Sequence, residues 1–282
     1  MIAVADGMGG YQDGDAASRI AVKMLERWWN KRLEKLLKKK DPLRRVLEEV
    51  NKLMQEMNET LLAYGKKLGT TLSILILYQG KYAISHVGDS RIFQLKGAFI
   101  GFQNYFRQEN EKVELDSLKL QNTEVLEADY ELSQLTEDHS WVEQQVRKGK
   151  LTKEEARNHR KRNVLTQCLG IEKGVTPFEE IGQYQSSDLF LLCSDGFYSM
   201  FSNDEIAETL EGLEKEYSDM QTISDYLVKL ASFSGTRDNI TVILVRNLYV
   251  NEKKRNERNK VSFLRFFLIN GVNQLWLSMT FN

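Results

Sequence analysis

Four aspartates stand where an apolar run ends or a tight turn begins. Asp6 closes the run Met1–Ala5 and precedes Gly7-Met8-Gly9-Gly10. Asp89 sits in Val87-Gly88-Asp89-Ser90-Arg91, between two apolar stretches. Asp195 follows Leu191-Leu192-Cys193-Ser194 and precedes Gly196, and Asp238 precedes Asn239-Ile240-Thr241-Val242. A strand fixes the backbone of an aspartate at its end and leaves the carboxylate at the rim of the sheet. A flanking glycine lets the backbone approach a ligand closely and leaves a carbonyl oxygen open to it. Carboxylates gathered in this way repel one another unless a cation lies between them. A donor set of oxygens, without His or Cys, selects Mg²⁺ or Mn²⁺ over Zn²⁺. One Asp-Gly pair alone is ordinarily a turn; the weight lies in four such positions, each against an apolar run. The stretch from Asp6 to Asp15 lacks the ligand order and closing glutamate of an EF-hand, which excludes that calcium loop.

The elements that must position these residues follow from hydrophobic period. Met1–Ala5 predicts a short buried strand. Ile20, Met24, Leu25, Trp28, Trp29, Leu33 and Leu36 recur at helical spacing from Ala16 to about Lys39. Asp41-Pro42 breaks that helix and starts another, through Leu43, Val46, Leu47, Val50, Leu53 and Leu61. Strands are predicted at Thr70–Tyr78 and Lys81–Val87, joined by Gln79-Gly80, and at Arg91–Lys96. Two short helices fall in His139–Gly149 and Thr152–His159. Strands at Phe178–Tyr184 and Leu189–Cys193 precede helices at Asn203–Lys215 and Met220–Phe233, and Ile240–Arg246 is a last strand. Helices and antiparallel-type strands come in runs, without βαβ alternation, which predicts an α+β layered domain.

Composition narrows the function classes. The chain has 282 residues, 41% apolar and 28% charged, with net charge −1. That balance gives no global field toward nucleic acid or an anionic membrane. Cys168 and Cys193 make neither a disulfide framework nor a CxxC pair, which suits a reducing cytoplasm. No basic stretch and apolar run mark a signal peptide.

Taken in order, the motifs resemble those of the bacterial PPM (type 2C) metal-dependent serine/threonine protein phosphatases. They are Val4-Ala5-Asp6-Gly7-Met8-Gly9-Gly10, Gly69-Thr70-Thr71, Val87-Gly88-Asp89-Ser90-Arg91, Leu135-Thr136-Glu137-Asp138-His139-Ser140, Arg162-Asn163-Val164-Leu165-Thr166, Cys193-Ser194-Asp195-Gly196 and Arg237-Asp238-Asn239-Ile240-Thr241. The resemblance implies a central antiparallel β-sandwich flanked by helix pairs over residues 1–247, with a flap at about 141–170, an insertion at about 97–131 and a linker and tail at 248–282. It implies hydrolysis of phosphoserine and phosphothreonine by a water between two Mn²⁺ or Mg²⁺ ions. Asp6 would bridge both ions, the Gly7 carbonyl would hold the first, and Asp195 and Asp238 the second. Asp89 would serve a third, weaker site. Met8 stands where some relatives carry a histidine and cannot transfer a proton. His86, His139 and His159 are expected to be structural.

The family's first motif, an arginine for the substrate phosphate and then Asn-(Glu/Gln)-Asp, has no counterpart before Asp6. The expectation is a weaker enzyme with an open sheet edge and no assigned phosphate-binding residue; the alternative is a non-catalytic binding protein of the same fold. The implied partners are phosphoproteins and a serine/threonine kinase. Basic residues Arg157, Arg160, Lys161 and Arg162 in the flap would either steer phosphopeptides or form a solvated face. The tail, Val261–Phe281, is apolar but interrupted by Arg265, Asn270, Asn273 and Gln274. It is expected to pack on the domain in preference to an interfacial helix or a transmembrane anchor.

Overall fold

Alternate residues of the strands bury into different cores, and this fixes the layering. The computed structural model describes residues 1–8, 11–64, 68–97, 130–217, 219–246, 263–268 and 275–280. The strands are β1 (Ile2–Val4), β2 (Gly7–Met8), β3 (Gly69–Thr70), β4 (Leu72–Tyr78), β5 (Lys81–Val87), β6 (Arg91–Lys96), β7 (Glu131–Gln134), β8 (Phe178–Gln183), β9 (Leu189–Cys193), β10 (Val242–Arg246), β11 (Phe263–Leu268) and β12 (Leu275–Thr280). One sheet has the order β12-β11-β1-β4-β5-β8 and the other β10-β9-β6-β7, with β2 and β3 forming a separate pair. Ile2, Val4, Leu75, Ile84, Phe190 and Leu192 meet between the sheets. Their neighbours in sequence face outward: Ala3, Ala5, Leu72 and Ile74 into one helical layer, and Leu189 and Leu191 into the other. Strands buried on both faces read as continuous apolar runs because each parity has its own core to fill.

The helices cover the two outer faces. Helix α1 (Tyr11–Trp28), a π-helical turn at Trp29–Leu33, α2 (Glu34–Leu37) and α3 (Pro42–Ala63) lie on the first sheet. In α1 the residues Ala17, Ala21, Leu25 and Trp28 are buried, one stripe of the helix. The short helices α4 (Trp141–Arg147) and α5 (Lys153–Asn158) belong to the expected flap, followed by α6 (Asp195–Tyr198). Helices α7 (Asn203–Glu216) and α8 (Met220–Phe233) cover the second sheet. Thr152 and Ser202 each close a capping box with the glutamate three residues on. The α+β sandwich with flanking helices agrees with the sequence reading.

Two differences concern the tail and the first strand's edge. β11 runs parallel to β1, with Ile2 opposite Arg265 and Ala3 opposite Phe266, and β12 returns antiparallel to β11. The β1 edge expected to be open is therefore paired, and the tail segments are strands where a helix was one expectation. Among the described residues no helix is long and apolar enough to cross a membrane. The expected insertion at 97–131 falls almost wholly outside the described residues, as does the charged linker.

Phe190 is fully buried between the sheets, edge-on to Tyr82 at 5.8 Å and to Tyr184 at 5.6 Å. Removing a ring from such a site costs about 3–5 kcal/mol through lost transfer energy and the cavity left behind. Phe190→Ala should lower the unfolding free energy by that amount, read in urea as a lower midpoint with an unchanged slope; a variant within about 1 kcal/mol of wild type would show that the sheets close over the gap.

Candidate metal centre

The four aspartates reach one end of the sandwich from both sheets. Asp6 follows β1, and Asp89 lies in the turn by which β5 of the first sheet passes into β6 of the second. Asp195 and Asp238 follow and precede the paired strands β9 and β10, where Val242 is opposite Cys193.

The backbone at each position is held by specific bonds. The Asp6 N–H donates to Thr71 Oγ1 at 2.9 Å. The Asp6 carbonyl accepts from the Thr71 N–H at 2.8 Å and from Thr70 Oγ1 at 3.0 Å. Thr71 Oγ1 also lies 2.9 Å from Ser90 Oγ, so one hydroxyl joins the Asp6 and Asp89 segments. Across the site, the Thr241 N–H donates to Ser194 Oγ at 3.1 Å, and Ser194 Oγ–H to the Asn239 carbonyl at 3.2 Å. Two glycines are required by close approach. A Cβ on Gly7 would lie 2.0 Å from the Gly14 carbonyl oxygen. Gly88 has φ 114° and a Cβ there would lie 2.5 Å from the Thr71 Cβ. The sequence reading expected glycines that free a backbone to approach a ligand; at these two positions it is the protein's own chain that approaches.

Electrostatics record how close the carboxylates stand. Burial, then the charges of Asp195 and Asp238, push the Asp6 carboxyl up to about 8. Burial and Asp238 push Asp195 up to about 6. Asp89 is raised well above the usual carboxylate range by burial and by Asp195, Asp138 and Asp6, with Arg91 opposing. Asp195 Oδ1 is buried with no hydrogen-bond partner. Among the described residues, however, no three acidic, His or Cys side chains form a ready-made metal cage. The aspartates are near enough for Asp195 and Asp238 to raise Asp6 and for Asp238 to raise Asp195, and they are not closed around a point. An orphaned carboxylate oxygen, mutual repulsion and an oxygen-only donor set fit a hard divalent cation.

A second group was missed by the sequence reading. Arg91 donates twice to Asp138, through Nε at 3.1 Å and Nη2 at 2.7 Å, and its guanidinium lies 3.7 Å over the Tyr198 ring. Gln134 Nε2 donates to Asp138 as well, at 3.0 Å. The signal lay in the sequence as an Asp and an Arg inside two motifs, but nothing in their spacing says that they meet. In the flap, Trp141 stacks on His159 at 4.9 Å, and Lys161 Nζ sits 4.6 Å over the Trp141 ring. Arg157 lies 3.9 Å from Glu205. Cys168 and Cys193 are buried and free, and burial pushes the Cys168 thiol up to about 12.

The protein phosphatase 2C family pattern matches residues 1–230. The serine/threonine phosphatase Stp of Listeria monocytogenes is 34% identical over 251 residues, covering 87% of this chain and 83% of that protein. The crystal structure of the S. agalactiae serine/threonine phosphatase superposes with a TM-score of 0.66 at 27% identity, over 85% of this chain and 84% of that one. The catalytic domain of the phosphatase PstP, solved in complex with two manganese ions, shares the fold with a TM-score of 0.61 at 24% identity, over 85% of this chain and 84% of that one. The chain belongs to the protein phosphatase 2C family.

The raised carboxyls set a pH dependence. A folded-state pKa above the unfolded one means that the native protein holds a proton the unfolded chain has released. Stability is then lost as pH rises from the usual carboxylate range, near 4, toward the Asp6 value of about 8. In chelator, the urea midpoint should fall steadily across that window, and excess Mn²⁺ should flatten the fall. A midpoint independent of pH in chelator would mean that the carboxylates do not face one another.

Proposed function

We propose that this chain hydrolyses phosphoserine and phosphothreonine on proteins with the help of two Mn²⁺ or Mg²⁺ ions, held by Asp6, the Gly7 carbonyl, Asp195 and Asp238, and a weaker third at Asp89. The single observation that carries the reading is that Asp195 and Asp238 raise the Asp6 carboxyl, and Asp238 raises that of Asp195, at one end of the sandwich. When bound, such ions lower the pKa of water and offset charge on the phosphate oxygens. The protein's own part is to hold the carboxylates where repulsion would scatter them. Thr71 clamps Asp6 through both its N–H and its carbonyl. Met8, next to Gly7, offers no titratable group, so no proton passes through it. Arg91 has its guanidinium committed to Asp138 and Tyr198 and is not the group that receives substrate phosphate. The substrates are phosphorylated proteins of the cytoplasm, modified there by a serine/threonine kinase. The free, buried cysteines suit that reducing compartment.

The test is release of phosphate from a phosphothreonine peptide in Mn²⁺, in Mg²⁺ and in chelator. Activity should need the metal, and Asp238→Asn should lower kcat by at least about a hundredfold with the fold intact, since losing a carboxylate ligand weakens the hold on an ion whose offset of charge on the phosphate oxygens is worth about 3 kcal/mol or more. Full activity in Asp238→Asn at saturating Mn²⁺ would remove Asp238 from the site. No metal-dependent turnover by the well-folded wild type would favour the non-catalytic alternative.

A further inference from the structure

His139 is in neither ligand set, yet its main chain and its ring both close on Gly88, the residue before Asp89. The His139 N–H donates to the Gly88 carbonyl at 2.7 Å, and the Gly88 N–H donates to His139 Nδ1 at 3.2 Å. Nδ1 is thus the unprotonated ring nitrogen, and Gly88 is held at both its main-chain polar atoms. Gly88 itself has φ 114° and no room for a side chain, so few conformations are open to it.

The residue on the other side of Asp89 is held by a matching arm. The His139 ring stacks on that of His86, centroids 5.3 Å apart and planes 29° apart. His86 Nδ1 lies 2.7 Å from Ser73 Oγ, and Ser73 Oγ–H donates to the Ser90 carbonyl at 3.0 Å. Two stacked histidines therefore hold the residues that flank Asp89, one directly and one through a serine. His139 also reaches the flap. Its carbonyl accepts from the Thr166 N–H at 2.8 Å, and the next residues continue the contact, with the Trp141 N–H donating to the Val164 carbonyl at 2.7 Å. The Gln167 amide approaches Nδ1 at 3.4 Å.

We propose that His139 is a positioning residue: its Nδ1 acceptor and its main-chain N–H fix the two peptides that meet at Gly88, and with them the direction in which the Asp89 carboxylate enters the site, while its carbonyl ties that residue to the base of the flap. The inference rests on the reading of Asp89 as a cation ligand. The geometry of the clamp can be tested without that reading. A merely structural histidine would tolerate any polar side chain that fills the space. A positioning one needs an acceptor at the place of Nδ1, which asparagine provides through Oδ1 and glutamine, one methylene longer, does not.

The experiment compares His139→Asn, His139→Gln and His139→Ala in the full chain. The first readout is hydrogen exchange at the Gly88 amide in chelator. Protection should survive in His139→Asn and drop at least about fivefold in His139→Gln, the factor corresponding to about 1 kcal/mol for one hydrogen bond. The second is Mn²⁺ titration followed by calorimetry. The weakest site should lose about fivefold in affinity in His139→Gln and His139→Ala and less than twofold in His139→Asn, with tighter sites unchanged. If His139→Ala does not fold, the Asn and Gln variants decide. Equal Gly88 protection in all folded variants would overturn the clamp. Equal loss in Asn and Gln, with native melting temperatures, would overturn the role of Nδ1. A clamp confirmed by exchange, in a protein that binds no Mn²⁺, would instead defeat the reading of Asp89 as a ligand and with it this use of the clamp.

Discussion

Like charge gathered at the end of two sheets is the constraint on which this molecule turns. Asp6, Asp89 and Asp195 are each pushed toward the protonated form by burial and by neighbouring carboxylates. Left to flexible loops, such side chains would swing apart into water. Here each is carried on backbone that cannot swing. Asp6 ends a strand buried on both faces, and Asp195 and Asp238 flank a paired strand end. Asp89 lies in a turn that leads directly from the first sheet to the second. The sandwich is thus the means by which carboxylates from distant parts of the chain are made to share a rim.

The layers explain why this rim is rigid. A single sheet with one wet face could shift by a residue at small cost, but a strand with a core on each side cannot, because a slip exchanges every side chain between cores. β1 is short, yet Val4 faces the other sheet and Ala3 and Ala5 face α1 and α3, so its register is set from both sides. Thr71 then transmits that register sideways, bonding Asp6 with its backbone and hydroxyl and meeting Ser90 with the same hydroxyl. The pairing of β11 along β1 adds a neighbour on the remaining edge.

Much of this was legible in the sequence, and the parts that were not have physical reasons. Runs such as Leu72–Tyr78 and Leu189–Cys193 announce buried strands because both parities are apolar. The stripe in α1 is plain, but the π-helical turn at Trp29–Leu33 is not, since one extra residue per turn leaves the apolar spacing almost intact. The strand Glu131–Gln134 sits in a polar stretch without a strand pattern and is fixed by pairing with β6. The tail could not be resolved from its own residues, because an apolar run without a period fits helix and strand alike. At the site, Asp beside Gly at strand ends marked the carboxylates. The bond from Arg91 to Asp138 and the clamp of His139 on Gly88 depend on contacts across 47 and 51 positions, which no local pattern encodes.

Arg91 shows how the charge at this rim is divided. Its guanidinium lies against Asp138 and Tyr198 and lowers the tendency of both Asp89 and Asp195 to take up a proton. No cation acts comparably among the causes that raise Asp6, where burial, Asp195 and Asp238 all work in one direction. One internal positive charge therefore serves Asp89 and Asp195, and Asp6 is left without one. A carboxylate already served by an arginine gains less from a divalent ion than one that has only other carboxylates for company. Of these three raised carboxylates, Asp6 is the one whose charge no arginine among the described residues offsets.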